Sequence, residues 1–345
     1  MRKILDPSEI KRLKKLIKES KKIVCTCHVH PDGDAIGSTL GLWHLLRKLD
    51  KEVAVVVPDQ LPKSLRFLPG AGEIAVYTRH DPYCTRLVDE ADLILCCDFN
   101  TASRQDHLAP LIQSSTAAKV LIDHHENPDM PCDPLFSFPK MSSTCELVFR
   151  IIAALGLYEE IDKDCATCIL CGMITDTQNF TVNCPDPEIY EVMMKLMEKG
   201  ADKTKIIDEC VKACSYDSLR LKSFALSERM EVFPQHRGII TYLSKEDLSR
   251  FHYEKGDTEG LVNMPLNIRG IVYSIFIRED ADQIKISARS RYDFPVSKIC
   301  SELFGGGGHI QAAGGEFKGS LEECLKILKE SLGKYDRYLP SRLEK

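Results

Sequence analysis

Four short apolar runs of this 345-residue chain each end in aspartate or histidine, and no other feature restricts its folding so narrowly. VCTCHVHPDGDAIGS supplies His28, Asp32, Asp34 and Ser38, and LILCCDFN ends in Asp98. VLIDHHENP carries Asp123, His124 and His125, and CGMITDTQNF carries Asp176. Strands are expected at 22–27, 52–57, 74–77, 93–98 and 119–123, with helices at 35–49 and 81–90 between them. Strand and helix in this rhythm predict an α/β fold with a doubly wound, mostly parallel sheet. Such sheets place their sites beyond the carboxyl ends of the strands. The first three polar termini should therefore gather along one edge, joined by Asp176 from a helical layer.

The rest of the chain changes character. Helices are expected at 144–155, 162–175, 187–199 and 216–228. Strands at 238–243, 270–278, 283–289 and 316–317, with helices at 294–303 and 321–332, predict a smaller α+β domain. Two domains also suit the length. The expected division is 1–200 for a catalytic, metal-binding domain, 201–235 for a helical connector and 236–345 for a substrate-binding domain, with the active-site cleft between the two domains.

Carboxylates and imidazoles collected in this way suit Mn²⁺ or Mg²⁺ better than zinc, and the histidines tilt the choice toward Mn²⁺. Two ions about 3.5–4 Å apart, sharing Asp98, would turn a water between them into the attacking hydroxide. They would also neutralise charge growing on phosphoryl oxygens. A second anchor is FGGGGHIQAAGG, from Phe304 to Gly315. Its glycines Gly306, Gly307 and Gly308 permit positive φ and a backbone nest for an anion, and His309 can donate to a phosphate. Upstream, KISARS sets Ser287, Arg289 and Ser290 at a strand end, where the arginine fork suits phosphate. Arg104, six residues after Asp98, is a further candidate phosphate contact.

Composition bounds the partners. A formal net charge of −5 offers no basic surplus for long duplex nucleic acid. No apolar stretch approaches the roughly 18 residues of a membrane-spanning helix, and the charged N-terminal segment has no signal-peptide core. Fifteen cysteines, many inside expected strands and helices, favour reduced thiols and a cytoplasmic home. Cys165, Cys168 and Cys171, followed by Cys184-Pro185, superficially match an iron–sulfur run. They fall in an apolar helical stretch and read as buried core residues.

His28-x-x-x-Asp32-x-Asp34-x-x-Gly37-Ser38, then Asp98, Asp123-His124-His125 and Asp176, resembles the DHH phosphoesterase superfamily. Ser287-x-Arg289-Ser290 and the glycine-rich segment resemble its DHHA1 substrate domain, so the resemblance covers most of the chain. It implies one metal held by His28, Asp32 and Asp98, and another held by Asp34, Asp98, His124 and Asp176. It further implies that His125 lies near the scissile phosphate and that Asp123 orients the histidines. Gln178 departs from the family, which often has glycine after the Asp-Thr of the fourth motif. The compact arrangement is similar to the bacterial nanoRNase/pAp phosphatases. That resemblance implies Mn²⁺-dependent hydrolysis of short oligoribonucleotides to nucleoside monophosphates and of the bisphosphate pAp to AMP. The alternatives are a phosphodiesterase acting on cyclic or linear dinucleotides (c-di-AMP, pApA) and a non-catalytic nucleotide-binding regulator. A homodimer is the expected state.

Overall fold

The computed structural model describes residues 4–182, 184 and 186–341. Pro185 of the cysteine-rich run lies outside the described residues, as do the extreme termini. The chain divides into two compact units, Met1–Ala213 and Cys214–Lys345, so the connector expected at 201–235 is shared between them.

The first unit opens with α1 (Pro7–Glu19), started by the Asp6 carboxylate accepting from the Ser8 N–H, with Ile10, Leu13 and Ile17 buried on one face. It continues through β1 (Lys22–Thr26), α2 (Gly33–Lys48), β2 (Glu52–Val57), β3 (Ala75–Val76), α3 (Tyr77–Asp89), β4 (Leu93–Cys97), α4 (Ala109–Ser114), β5 (Ala118–Asp123) and β6 (Leu135–Ser137). Helices α5 (Thr144–Ala154), α6 (Lys163–Asp176), α7 (Glu188–Glu198) and α8 (Lys203–Ile207) complete it. The strands form one all-parallel sheet in the order β3-β2-β1-β4-β5-β6. The order reverses between β1 and β4, the crevice where such sheets hold ligands. Strand β6 is not legible in the sequence, because three residues carry too little pattern to register.

Both faces of the sheet are covered, as parallel strands require. Ile23, Cys25, Val55, Leu95 and Ile122 pack toward α1, α2, α5 and α6, while Val24, Val56, Ile94 and Leu121 pack toward α3 and α4. Helices α2 and α6 approach unusually closely. A Cβ at Gly37 would lie 2.5 Å from the Cys168 carbonyl oxygen, and one at Gly172 would lie 2.2 Å from the Cys145 sulfur and 2.9 Å from an Asp34 oxygen. This contact draws the C-terminal end of α6, with Asp176, to the N-terminal turn of α2, with Asp34. Cys165, Cys168 and Cys171 are buried inside α6, and burial pushes the Cys165 thiol up to about 12.

The second unit contains α9 (Tyr216–Glu228), β7 (Met230–Phe233), β8 (Gly238–Leu243), α10 (Lys245–Arg250), β9 (Tyr273–Glu279), β10 (Ile284–Ser290), α11 (Val296–Phe304), β11 (Gly307–His309), β12 (Ala312–Phe317) and α12 (Leu321–Ser331). Its sheet runs β11-β12-β10-β9-β8-β7 and is mixed: β8 and β9 are parallel and the other neighbours antiparallel. Ile275, Ile277, Ile284 and Ile286 form its core with Ile299 and Leu328 from α11 and α12.

The α2–α6 contact yields a stability test. Trp43 on α2 is the sole tryptophan, so its fluorescence reports unfolding of the first unit. Gly37→Ala is expected to lower that unit's stability by about 1–3 kcal/mol through overpacking, seen as a lower urea midpoint. Gly72→Ala, where a Cβ meets nothing within 4 Å, is expected to stay within about 0.5 kcal/mol of the parent.

Candidate metal centre

Three neighbouring strands deliver the polar groups. The chain leaving β1 carries His28 and then Asp32, whose carboxylate caps α2 by accepting from the N–H groups of Asp34 at 3.0 Å and Ala35 at 3.1 Å. Asp34 occupies the first turn of α2. Asp98 follows β4 with φ +64°. A non-glycine residue in that left-handed region costs about 1–3 kcal/mol and persists where the surroundings impose it. Asp123 ends β5, with His124 and His125 next. Asp176 is the last residue of α6.

These groups converge around Asp98, which is 1% exposed. Its Oδ2 lies 3.3 Å from His28 Nε2, which is 3.7 Å from Asp32. Its Oδ1 lies 3.7 Å from His124 Nε2, which is 3.8 Å from Asp34 and 3.6 Å from Asp176. His28, Asp32 and Asp98 therefore form one set of potential ligands, and Asp34, His124 and Asp176 another. Asp98 also forms a set with His124 and His125.

The two consecutive histidines have different supports. His124 directs Nδ1 at the Met141 carbonyl oxygen, 3.2 Å away, so its Nε2 faces the carboxylates. The Asp123 carboxylate lies 2.7 Å from His125 Nδ1 and accepts from the His125 backbone N–H at 3.1 Å. Asp123 thus orients His125, while a backbone carbonyl orients His124.

Electrostatics shows what the centre lacks. Burial, then the charge of Asp98, raises the Asp34 carboxyl well above the ordinary range. Burial likewise pushes Asp176 up to about 6. Burial disfavours charge on both imidazoles, yet the carboxylates outweigh it: Asp32 and Asp98 raise His28 to about 10, and Asp34 and Asp98 raise His124 to about 9. Among the described residues, His28 Nε2 and Asp176 Oδ2 are buried with no hydrogen-bond partner of good geometry. Orphaned buried polar atoms are rare and call for an explanation. Divalent cations supply one, since oxygen and imidazole donors of this composition suit Mn²⁺ or Mg²⁺.

Groups not anticipated from the sequence complete the centre. The N–H groups of Thr144 and Cys145, at the start of α5, donate to Asp34 at 2.6 and 2.9 Å, and the Thr144 hydroxyl donates to Asp98 at 2.9 Å. Ser-x-x-Glu at 143–146 signals a helix start, and helix N-termini favour carboxylates. That signal was present, but the partner of the N-terminus was not. Gln178 takes φ +47°, a left-handed backbone that glycine adopts without steric cost.

The candidate substrate residues are divided between the two units; the Arg104 carbonyl accepts from the N–H of Val29, next to His28, at 2.6 Å. Arg104 is half-buried in the short helical stretch Ala102–Leu108 of the first unit. In the second unit the glycine run is not the loop nest expected. Gly305 caps α11 at φ +60°, and Gly307–His309 is an edge strand paired with β12. A Cβ at Gly306 would lie 2.0 Å from the Gly314 carbonyl oxygen, so close passage of two backbones requires glycine there. Arg289, Ala312 and His309 stand in one row across three strands, and Ser287, Gly314 and Gly307 in another. Ile286 and Ala288 are core residues, so Ser287 and Arg289 face the opposite side of the sheet. Arg289 donates to the Ala288 carbonyl at 2.9 Å, and the Ser290 hydroxyl to the Phe294 carbonyl at 2.5 Å.

Residues 22–173 match the family model "DHH family, N-terminal domain", and residues 237–334 match the DHHA1 domain. The bifunctional oligoribonuclease and PAP phosphatase NrnA of Thermus thermophilus is 30% identical over 90% of this chain and 90% of its own length. The cyclic-di-AMP phosphodiesterase GdpP of Bacillus subtilis is 26% identical over 94% of this chain and 49% of its own length. The crystal structure of an exopolyphosphatase-related protein from Bacteroides fragilis superposes with a TM-score of 0.95 at 42% identity, covering 98% of this chain and 99% of that one.

Because the surrounding carboxylates raise His28 to about 10 and His124 to about 9, burial and Asp98 raise the Asp34 carboxyl as well, and metal ligands bind deprotonated, Mn²⁺ binding at pH 7 is expected to release two or more protons. Raising the pH toward 9 should strengthen apparent affinity. Titration calorimetry in two buffers of different ionisation enthalpy measures the release. A heat independent of buffer would contradict the protonated state of the pair.

Proposed function

The chain belongs to the DHH family and carries a C-terminal DHHA1 domain, and from that premise we propose that it is a metal-dependent phosphoesterase hydrolysing short oligoribonucleotides to nucleoside monophosphates and pAp to AMP. The observation that supports this most is the convergence of His28 and His124 on opposite oxygens of buried Asp98.

His28, Asp32 and Asp98 would hold one divalent cation, and Asp34, Asp98, His124 and Asp176 the other. Two Mn²⁺ ions, or Mg²⁺, would supply Lewis acidity toward phosphoryl oxygens and toward water. The chain's own groups do the rest. Asp123 fixes Nδ1 of His125, which leaves Nε2 to carry a proton toward the leaving oxygen or to bond a phosphoryl oxygen. Thr144 holds Asp98 in its rotamer through the hydroxyl contact. Arg104 would add a phosphate contact. In the second unit we assign Ser287, Arg289, Ser290, Gly306, Gly307, Gly308 and His309 to binding the nucleotide. The Ser290 hydroxyl is already engaged with Phe294, so its part is to shape the strand end. Arg289, aligned with His309 across the sheet, is the principal anion-binding group of that set.

A reducing compartment suits fifteen free cysteines, and we place the protein in the cytoplasm. Among the described residues no helix is long and apolar enough to cross a membrane.

Cleavage of cyclic or linear dinucleotides is the second reading. It is favoured by the cyclic-di-AMP phosphodiesterase relative, which matches 94% of this chain. The deciding experiment assays purified protein with Mn²⁺ against pAp, pApA, c-di-AMP, a five-nucleotide RNA and polyphosphate. Turnover of the short RNA and pAp is expected, with Asp98→Asn lowering it by at least about 100-fold. Preference for dinucleotides would install the second reading. Hydrolysis of polyphosphate alone would sink both.

A further inference from the structure

A buried charged chain leads away from the metal centre through α5, and the chemistry proposed above does not use it. Arg150 and Glu146 are each 4% exposed at the side chain. Arg150 Nε donates to Glu146 Oε1 at 2.9 Å, and Nη1 donates to Glu188 Oε2 on α7 at 2.9 Å. The other oxygen of Glu146 accepts from the Ser142 hydroxyl at 2.6 Å and the Ser142 N–H at 3.1 Å. The α5 residues that follow Glu146 and surround Arg150 are apolar: Leu147, Val148, Phe149, Ile151 and Ile152 are all buried.

Stability alone is a poor reason for such a chain. Replacing a buried ion pair with well-packed apolar residues is often neutral or stabilising, because desolvation offsets the Coulomb gain. What the chain does hold is the turn at 141–145. That turn supplies the Met141 carbonyl facing His124, the Thr144 and Cys145 N–H groups on Asp34, and the Thr144 hydroxyl on Asp98. It touches neither His28 nor Asp32, and its one bond to the shared Asp98 is to Oδ1, the oxygen that faces His124, while His28 faces Oδ2.

We propose that Arg150 is a positioning residue of the metal centre, acting through Glu146 and Ser142 to fix the turn that orients His124 and Asp34, and therefore specific to the ion held by Asp34, His124 and Asp176. The inference rests on the metal-centre reading given under the proposed function. Outer groups that orient ligands typically govern metal affinity by about 10–100-fold. Arg150→Met removes the charge while keeping most of the volume, and Ser142→Ala removes only the hydroxyl link to Glu146.

The test is a Mn²⁺ titration of the full chain, followed by the electron paramagnetic resonance signal of free Mn²⁺, with thermal melting in parallel. Wild type is expected to bind two ions. In a His28→Ala background, which keeps the Asp34 set, adding Arg150→Met should weaken the remaining ion by about 10–100-fold. In an Asp176→Ala background, which keeps the His28 set, the same change should leave the remaining ion within about threefold. Should Arg150→Met fail to fold, Ser142→Ala decides, with the same selectivity and a smaller loss of about three- to tenfold. Equal weakening of both ions, or no weakening of either, overturns the proposal and marks the chain as plain structural support. A wild type that binds no Mn²⁺ would instead defeat the metal-centre reading itself, and this inference with it.

Discussion

Everything in the first unit is arranged around the mutual repulsion of carboxylates crowded on Asp98. Two unit charges about 4 Å apart in an effective dielectric of about 20 repel by about 4 kcal/mol. A hydrogen bond to a charged group returns about 1.5–3 kcal/mol. The two N–H bonds from Thr144 and Cys145 to Asp34 are therefore comparable to one such repulsion. The rest is met by protonation, which the crowding favours on His28, His124 and Asp34 alike. The left-handed Asp98 belongs to the same compromise: its backbone accepts strain so that its two oxygens face two different histidines.

The adjacent histidines show how little sequence distance says about role. His124 and His125 differ by one position, and their rings meet edge to face at 4.8 Å. A carbonyl behind one and a carboxylate behind the other give the two imidazoles different aim. A neutral carbonyl leaves His124 a ligand turned into the carboxylates. The Asp123 carboxylate, 2.7 Å from Nδ1, fixes the His125 ring.

What the sequence made legible follows from where each signal originates. His28, Asp98 and Asp123 could be grouped because each ends an apolar run, and a parallel sheet aligns the ends of its strands. Asp176 could be attached only by expectation, because the Gly37 and Gly172 contact that draws its helix inward is a property of two helices together. Glu146 and Arg150 stand four residues apart on α5, a spacing that on sequence alone reads as an ordinary surface pair. Burial shows only once the fold packs apolar residues around them and closes their polar ends on Ser142 and Glu188. The glycine run suggested a loop because glycine disfavours strands. The deciding fact is a neighbour, Gly314, whose carbonyl leaves no room for a side chain at Gly306.

The second unit applies the same logic to an uncharged problem. Where three strands carry Gly307, Gly314 and Ser287 in a row, the sheet surface is nearly bare of side chains. The neighbouring row places Arg289 and His309 on either side of Ala312. A stripped backbone beside two basic donors lets a flat or anionic group approach the sheet itself, which a wall of larger side chains would prevent. In one unit repulsive groups are forced together so that a cation is wanted. In the other, small residues leave the backbone open beside Arg289 and His309. Both arrangements use glycine for steric room, and both place the chemistry where backbone geometry rather than a flexible side chain sets the distances.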